Sequence, residues 1–196
     1  LRLIGLLRQV CQAIHYAHAR GVIHRDLKPA NVMLGDYGEV LVMDWGLARV
    51  LQEEAAQAPS PPEEHGSVDE PAPRPRVETD RSDSATPGGE AMRTLDGDIV
   101  GTPSYMAPEQ ARGRLEEVGP ACDVYSVGAI LYHLLGGQAP YEPLGEKVAA
   151  HVILDAVRQG PPWALRDLEP EVDGELAAIC EKAMARSPGE RYPSMM

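Results

Sequence analysis

Phenylalanine is absent from this 196-residue chain, and its three lysines are outnumbered by fifteen arginines. Both are features of compositional bias rather than functional signals. Positive charge is scarce as well. Eighteen basic residues against thirty acidic ones leave a formal charge of −12, which argues against general nucleic-acid binding through a phosphate-neutralising surface. No apolar run reaches the length of a membrane span, and no signal-peptide pattern opens the chain. The three cysteines, Cys11, Cys122 and Cys180, are odd in number, far apart and set in apolar helical patterns. They read as buried, reduced thiols of a cytoplasmic domain rather than as a disulfide or metal set.

What remains is ordinary globular material, 43% hydrophobic and long enough for one sizeable core or most of a larger domain. The chain begins at Leu1 already inside a helical pattern, so the expectation is a piece of a longer protein. Residues 1–20 place Leu3, Leu6, Leu7, Val10, Ile14 and Ala17 at three- and four-residue steps, an amphipathic helix with Gly21 as its stop. Two short apolar runs, Val32–Leu34 and Val40–Met43, flank a turn rich in Gly and Asp and predict a β-hairpin. "ACDVYSVGAILYHLLGG" predicts a helix apolar around much of its girth and central to the core. Residues 145–158 and 173–186 predict two more amphipathic helices, with breaks at Pro161–Pro162 and Pro188–Gly189.

Residues 52–93 differ in character. They carry seven prolines, ten acidic residues and four arginines, with almost no apolar periodicity. Such a segment buries too little surface to offset the entropy of ordering it, so disorder is expected. It reads as a tolerated surface loop in preference to a docking tail. Order is expected to resume near Ile99. The sum is a mainly α domain with one small hairpin and a long acidic, proline-rich insert.

The chemistry gathers in "HRDLKPAN", residues 24–31. Asp26, Lys28 and Asn31 share a short loop before the hairpin, and the hairpin returns the chain so that Asp44 comes close to Asn31. A carboxylate and an amide oxygen facing one cavity make a hard, oxygen-rich site suited to Mg²⁺. Asp26 is placed to accept a proton from an incoming hydroxyl, and Lys28 offsets negative charge on a transferring group. These are the parts phosphoryl transfer needs, because positioning and charge neutralisation supply most of its catalysis.

The same residues carry a family resemblance. His24-Arg25-Asp26-Leu27-Lys28-Pro29-Ala30-Asn31 resembles the catalytic loop of eukaryotic-type protein kinases. Asp44-Trp45-Gly46 resembles their metal-binding Asp-Phe-Gly, and Ala107-Pro108-Glu109 their Ala-Pro-Glu. Asp123-Val124-Tyr125-Ser126-Val127-Gly128 is similar to the start of the family's central helix. Arg191 falls where the family pairs an arginine with the glutamate here numbered Glu109. "GTPSYMAPEQ" is most like the bacterial serine/threonine kinases. The resemblance covers the chain outside the insert and implies a kinase-like C-terminal lobe, with the N-terminal β-lobe absent from these residues.

By this resemblance Asp26 is the catalytic base, Lys28 contacts the γ-phosphate of ATP, and Asn31 and Asp44 hold Mg²⁺. The partners implied are ATP and proteins bearing Ser or Thr, the latter from Lys28 together with Thr102. Arg25 implies control through a phosphorylated activation segment, with Thr94 the first candidate and Asp96 and Asp98 possible constitutive sources of charge. His24 reads as a packing residue. Asp123 is expected to cap its helix and to hydrogen-bond the catalytic-loop backbone. His15, His18 and His24 read as structural rather than as zinc ligands, since no clustered cysteine or carboxylate joins them. Trp45 departs from the family's Phe, and its indole is expected to fill the same apolar slot and to need a partner for its N–H. The Gly-rich loop, strand lysine and helix glutamate of the family's other lobe are not in this sequence. The isolated chain is therefore expected to be inactive, or to act as a protein-binding remnant, while its parent transfers phosphate.

Overall fold

The computed structural model describes residues 2–51 and 103–196. The expected disorder over 52–93, the expected return of order near Ile99, and the candidates Thr94 and Thr102 lie outside the described residues.

The first helix, α1, spans Arg2–His18. Leu7, Val10 and Ile14 recur at helical spacing and are its buried stripe, with Ile14 wholly inaccessible. Leu3 is half exposed and lies off that stripe, contrary to the sequence reading. The stripe packs on α3, Pro120–Gly136, whose residues from Cys122 to Tyr132 are all buried. A helix apolar on every side must be wrapped by others, and α3 is: α1, α5 (Leu165–Leu168) and α6 (Gly174–Ala183) all pack on it. Each fully buried large side chain in this core, such as Ile14 or Leu27, contributes roughly 1.5–3 kcal/mol of transfer free energy.

The α3–α6 contact depends on Gly128. A β-carbon there would stand 2.8 Å from Ala183 Cβ and 2.9 Å from Met184 Cγ, so a side chain at 128 would force the helices apart. A smaller cluster of Ile153, Leu154 and Val157 joins α4 (Ala150–Gln159) to Ala111 of α2 (Pro108–Ala111) and to Tyr141. Helix α4 starts five residues later than the pattern predicted. Ala149 is extended and Val148 packs on the α4 cluster, which holds this segment out of the helix. Helix α6 opens at Gly174, where Asp173 caps it by accepting the amides of Glu175 and Leu176 at 2.9 and 3.0 Å.

The strands are few and short. The predicted hairpin is present as β2 (Val32–Leu34) and β3 (Val40–Val42), antiparallel with Met33 opposite Leu41. A second antiparallel pair escaped the sequence reading: β1 (Val22–Ile23) with β4 (Arg49–Val50). Two-residue strands show no alternation to detect. Their effect is large, however. One loop runs from β1 to β2 and another from β3 to β4, so the two pairings set those loops side by side. The first loop carries Asp26 and Asn31, the second Asp44.

Candidate active site

The loop from His24 to Asn31 is held from below by one carboxylate. Asp123 is wholly buried and accepts the backbone N–H groups of His24 and Arg25, each at 2.8 Å, and His18 Nε2 at 2.8 Å. It does not cap α3 as expected. The cap position is Gly119, and Asp123 sits one turn inside the helix, aimed at the loop. His18 is the residue the sequence reading left without a task. Its structural role is correct, and its partner became visible only when α1 and α3 packed together.

His24 is also fully buried. Its Nε2 donates to the Met43 carbonyl at 2.9 Å, and its Nδ1 accepts the Asp26 amide at 3.3 Å. A single tautomer, with the proton on Nε2, serves both bonds. His24 therefore ties the Asp26 loop to the residue before Asp44. A second tie runs from the Met43 amide to the Asn31 carbonyl at 2.8 Å. The expected proximity of Asn31 and Asp44 rests on these two bonds.

Within the loop the polar groups converge on Asp26. Lys28 Nζ donates to its Oδ2 at 2.8 Å, and Asn31 Nδ2 donates to the same oxygen at 3.1 Å and to the Asp26 carbonyl at 2.8 Å. The pair is partly open to solvent, with Asp26 28% and Lys28 19% exposed at the side chain. With Asn31 Nδ2 engaged by Asp26, its Oδ1 is the atom left for a cation. Asp44 is exposed, and its backbone is left-handed at φ 57°, a conformation unusual for a residue with a side chain. A β-carbon at position 46 would stand 3.3 Å from Asp44 Oδ1, so Gly46 leaves room around that carboxylate. An amide oxygen and an exposed carboxylate on adjoining loops are hard donors that suit Mg²⁺.

Arg25 also has positive φ, 71°. Among the described residues its Nε is the buried side-chain polar atom that lacks a hydrogen-bond partner. Glu109 and Arg191 form the expected pair, bidentate at 2.7 and 2.8 Å and almost inaccessible. Arg191 further donates to the carbonyls of Ala185 and Ala121, each at 2.8 Å. This pair anchors the Ala107-Pro108-Glu109 segment to the C-terminal end of the described fold.

Trp45 differs from expectation. Its indole N–H does have a partner, the Val42 carbonyl at 3.0 Å, but that bond keeps the ring at the edge of the hairpin. The ring leans on His24 at 4.6 Å between centroids and stays 38% exposed. It borders an apolar groove of about 450 Å³ between α1 and β3, lined also by Tyr16, Val22 and Leu41.

Cys122 and Cys180 are buried as expected, whereas Cys11 is only partly so. All three are free thiols. Burial pushes the Cys11 and Cys122 thiols up and Cys180 to about 12, which favours the thiol over the thiolate. Among the described residues no cluster of His, Cys, Asp and Glu has three members placed to hold a metal. No described helix is long and apolar enough to cross a membrane.

Comparison with known proteins agrees with this geometry. The family described as protein kinase domain matches residues 3–69 and 85–195. The serine/threonine-protein kinase PknB of Mycolicibacterium smegmatis is 34% identical over 194 residues, covering 97% of this chain and 24% of that protein. PknD of Protochlamydia amoebophila is 35% identical over 200 residues, 100% of this chain and 17% of its own length. Pkn1 of Myxococcus xanthus is 33% identical over 196 residues, 98% of this chain and 22% of its own. The chain thus spans about a quarter or less of the length of these curated relatives. Matched along both of its described segments, and mainly helical around α3, the chain belongs to the protein kinase family and has the fold of that family's C-terminal lobe.

Proposed function

We propose that this chain is the catalytic-loop half of a serine/threonine protein kinase, which moves the γ-phosphoryl group of ATP to Ser or Thr hydroxyls of proteins. The observation that carries the reading is the convergence of Lys28 and Asn31 on Oδ2 of Asp26. That leaves Oδ1 to receive a substrate hydroxyl. As the hydroxyl oxygen bonds to the γ-phosphorus, its proton passes to Asp26, the P–O bond to the β-phosphate breaks, and ADP leaves. Lys28 lies close enough to share its charge with the transferring group. Asn31 Oδ1 and the Asp44 carboxylate would hold Mg²⁺, which supplies charge neutralisation on the phosphates when bound.

Control through the activation segment belongs to the same reading. A buried guanidinium nitrogen without a partner calls for an anion, and a phosphate on Thr94 would supply one to Arg25. Thr94→Ala in the full-length protein should then lose both its phosphate and most of its activity. Full activity without that phosphate would remove Thr94 from the scheme.

A second reading, a non-catalytic lobe that docks a protein, is favoured by the exposed apolar side chains of Met33, Leu41 and Trp45 on and beside the hairpin. One assay separates the two. The full-length protein containing this chain is incubated with ATP·Mg²⁺ and a Ser/Thr substrate, beside its Asp26→Asn variant. The kinase reading expects transfer by the first and a loss of at least ~10²-fold in the second. Equal transfer by both removes the role given to Asp26, and none by either favours the docking lobe.

A further inference from the structure

Arg25, immediately before Asp26, combines two features that pull against each other. Its left-handed backbone is costly for a residue with a β-carbon, yet the loop depends on its staying there. Such a conformation persists only where the surroundings over-determine it. On the amide side the cause is clear: Arg25 N–H is bound by Asp123 Oδ1 at 2.8 Å. On the carbonyl side the partner is Gln110, whose Nε2 donates to Arg25 O at 2.9 Å.

Gln110 has a second bond. Its Oε1 accepts the Ala107 amide at 3.3 Å, the first free N–H of α2. Only one orientation of the side-chain amide satisfies both contacts, because exchanging oxygen and nitrogen would set acceptor against acceptor and donor against donor. The half-buried side chain therefore bridges two segments that are eighty-five residues apart in sequence. One is the catalytic loop. The other begins at Ala107 and is anchored one residue before Gln110 by the Glu109–Arg191 pair.

We propose that Gln110 is a positioning residue for Asp26. It clamps the Arg25 carbonyl, holds the left-handed turn that aims the Asp26 carboxylate, and makes that aim depend on a seated 107–110 segment. The inference rests on the kinase reading of Asp26. Gln110 touches no reacting atom and acts only through the Arg25–Asp26 peptide. Unseating of Ala107–Gln110 would release the carbonyl and leave Asp26 present but misdirected.

The test uses three variants of the full-length protein. Gln110→Glu keeps the acceptor for Ala107 but turns a carboxylate oxygen onto the Arg25 carbonyl. Gln110→Met keeps the length and removes both bonds. Asp26→Asn reports on the kinase reading itself. The expected result is a kcat lowered about 10- to 100-fold by Gln110→Glu, the scale of loss for ångström misplacement of a catalytic group. Gln110→Met should fall about 10-fold, and KM for ATP should stay within about twofold in both. Hydrogen exchange over residues 24–28 should quicken in both while α3 stays protected. Wild-type kcat in Gln110→Glu, with Asp26→Asn inactive, overturns the positioning role and leaves the kinase reading intact. A lowered thermal midpoint with unchanged kcat in Gln110→Met reduces Gln110 to a helix cap and also overturns it. Equal activity of Asp26→Asn and wild type removes the kinase reading of Asp26, and the inference falls with it.

Discussion

Removing Arg191 from its pair with Glu109 should destabilise the fold severely, and the structure allows the size to be worked out. The two side chains are 0% and 1% exposed and meet in a bidentate contact at 2.7 and 2.8 Å. Arg191→Met leaves the Glu109 carboxylate buried without its counter-charge, a change that costs roughly 3–5 kcal/mol. The carbonyls of Ala121 and Ala185 lose their donor as well. For a domain of this size that corresponds to a fall in thermal midpoint of about 6–20 °C. The total stability of such domains is only about 5–15 kcal/mol, so partial unfolding at 37 °C is expected. The cause can be separated from simple loss of packing by a double-mutant cycle. Glu109→Leu combined with Arg191→Met removes both charges and should recover most of the loss, because an apolar pair avoids the uncompensated ion. Urea denaturation of the four proteins measures the coupling. A cost below about 1 kcal/mol for Arg191→Met, or a double variant no better than the worse single, would refute the claim that ionic complementarity holds this segment.

Other outcomes follow from the same packing. Gly128→Ala places a methyl 2.8 Å from Ala183 Cβ and should cost about 1–3 kcal/mol by urea denaturation through α3–α6 overpacking. Asp123→Asn turns one amide N–H toward a backbone donor of His24 or Arg25, so a loss of about 1–3 kcal/mol is expected, with faster hydrogen exchange at those two amides. Unchanged exchange there would contradict the anchoring role. Alkaline pH should destabilise the fold. Burial, then the Glu142 charge, pushes Tyr105 to about 12, and burial, then Glu181, pushes Cys180 to about 12. Because these folded values lie above the unfolded ones, the unfolded chain loses its protons first. Stability is therefore intact below about pH 8.5 and falls as pH rises toward 12, which thermal scans across that window would register.

Much of this protein was legible in one dimension because the relevant physics is local. Leu7, Val10 and Ile14 announce a buried helical stripe by spacing alone, and the unbroken apolar character of α3 announces a helix wrapped on all sides. Val32–Leu34 and Val40–Val42 announce a hairpin through the turn between them. The types and order of Asp26, Lys28, Asn31 and Asp44 carry the resemblance to the protein kinase family, which the family match over residues 3–69 and 85–195 bears out; the phosphoryl-transfer roles given to them belong to the proposed function. The Glu109–Arg191 pair was legible only through family resemblance, because eighty-two residues separate its members.

The tertiary structure decided everything that depends on non-local partners. The β1–β4 pairing, too short for any periodic signal, sets the Asp26 and Asp44 loops side by side. Asp123 makes the loop hydrogen bonds the family resemblance implied, but the cap falls to Gly119, and its third partner, His18, appears only when α1 and α3 pack together. Trp45 stays at the rim, since its N–H found a carbonyl on the hairpin edge before its ring found a slot. Gln110 and its link to Arg25 carry no sequence signal, because a side-chain amide has no periodicity and its partner is a backbone carbonyl eighty-five residues away. Sequence by itself determined which chemical groups this chain possesses and which local shapes carry them. Only packing decided which way those groups point, because hydrogen bonds between distant segments exist only after the helices have closed around α3.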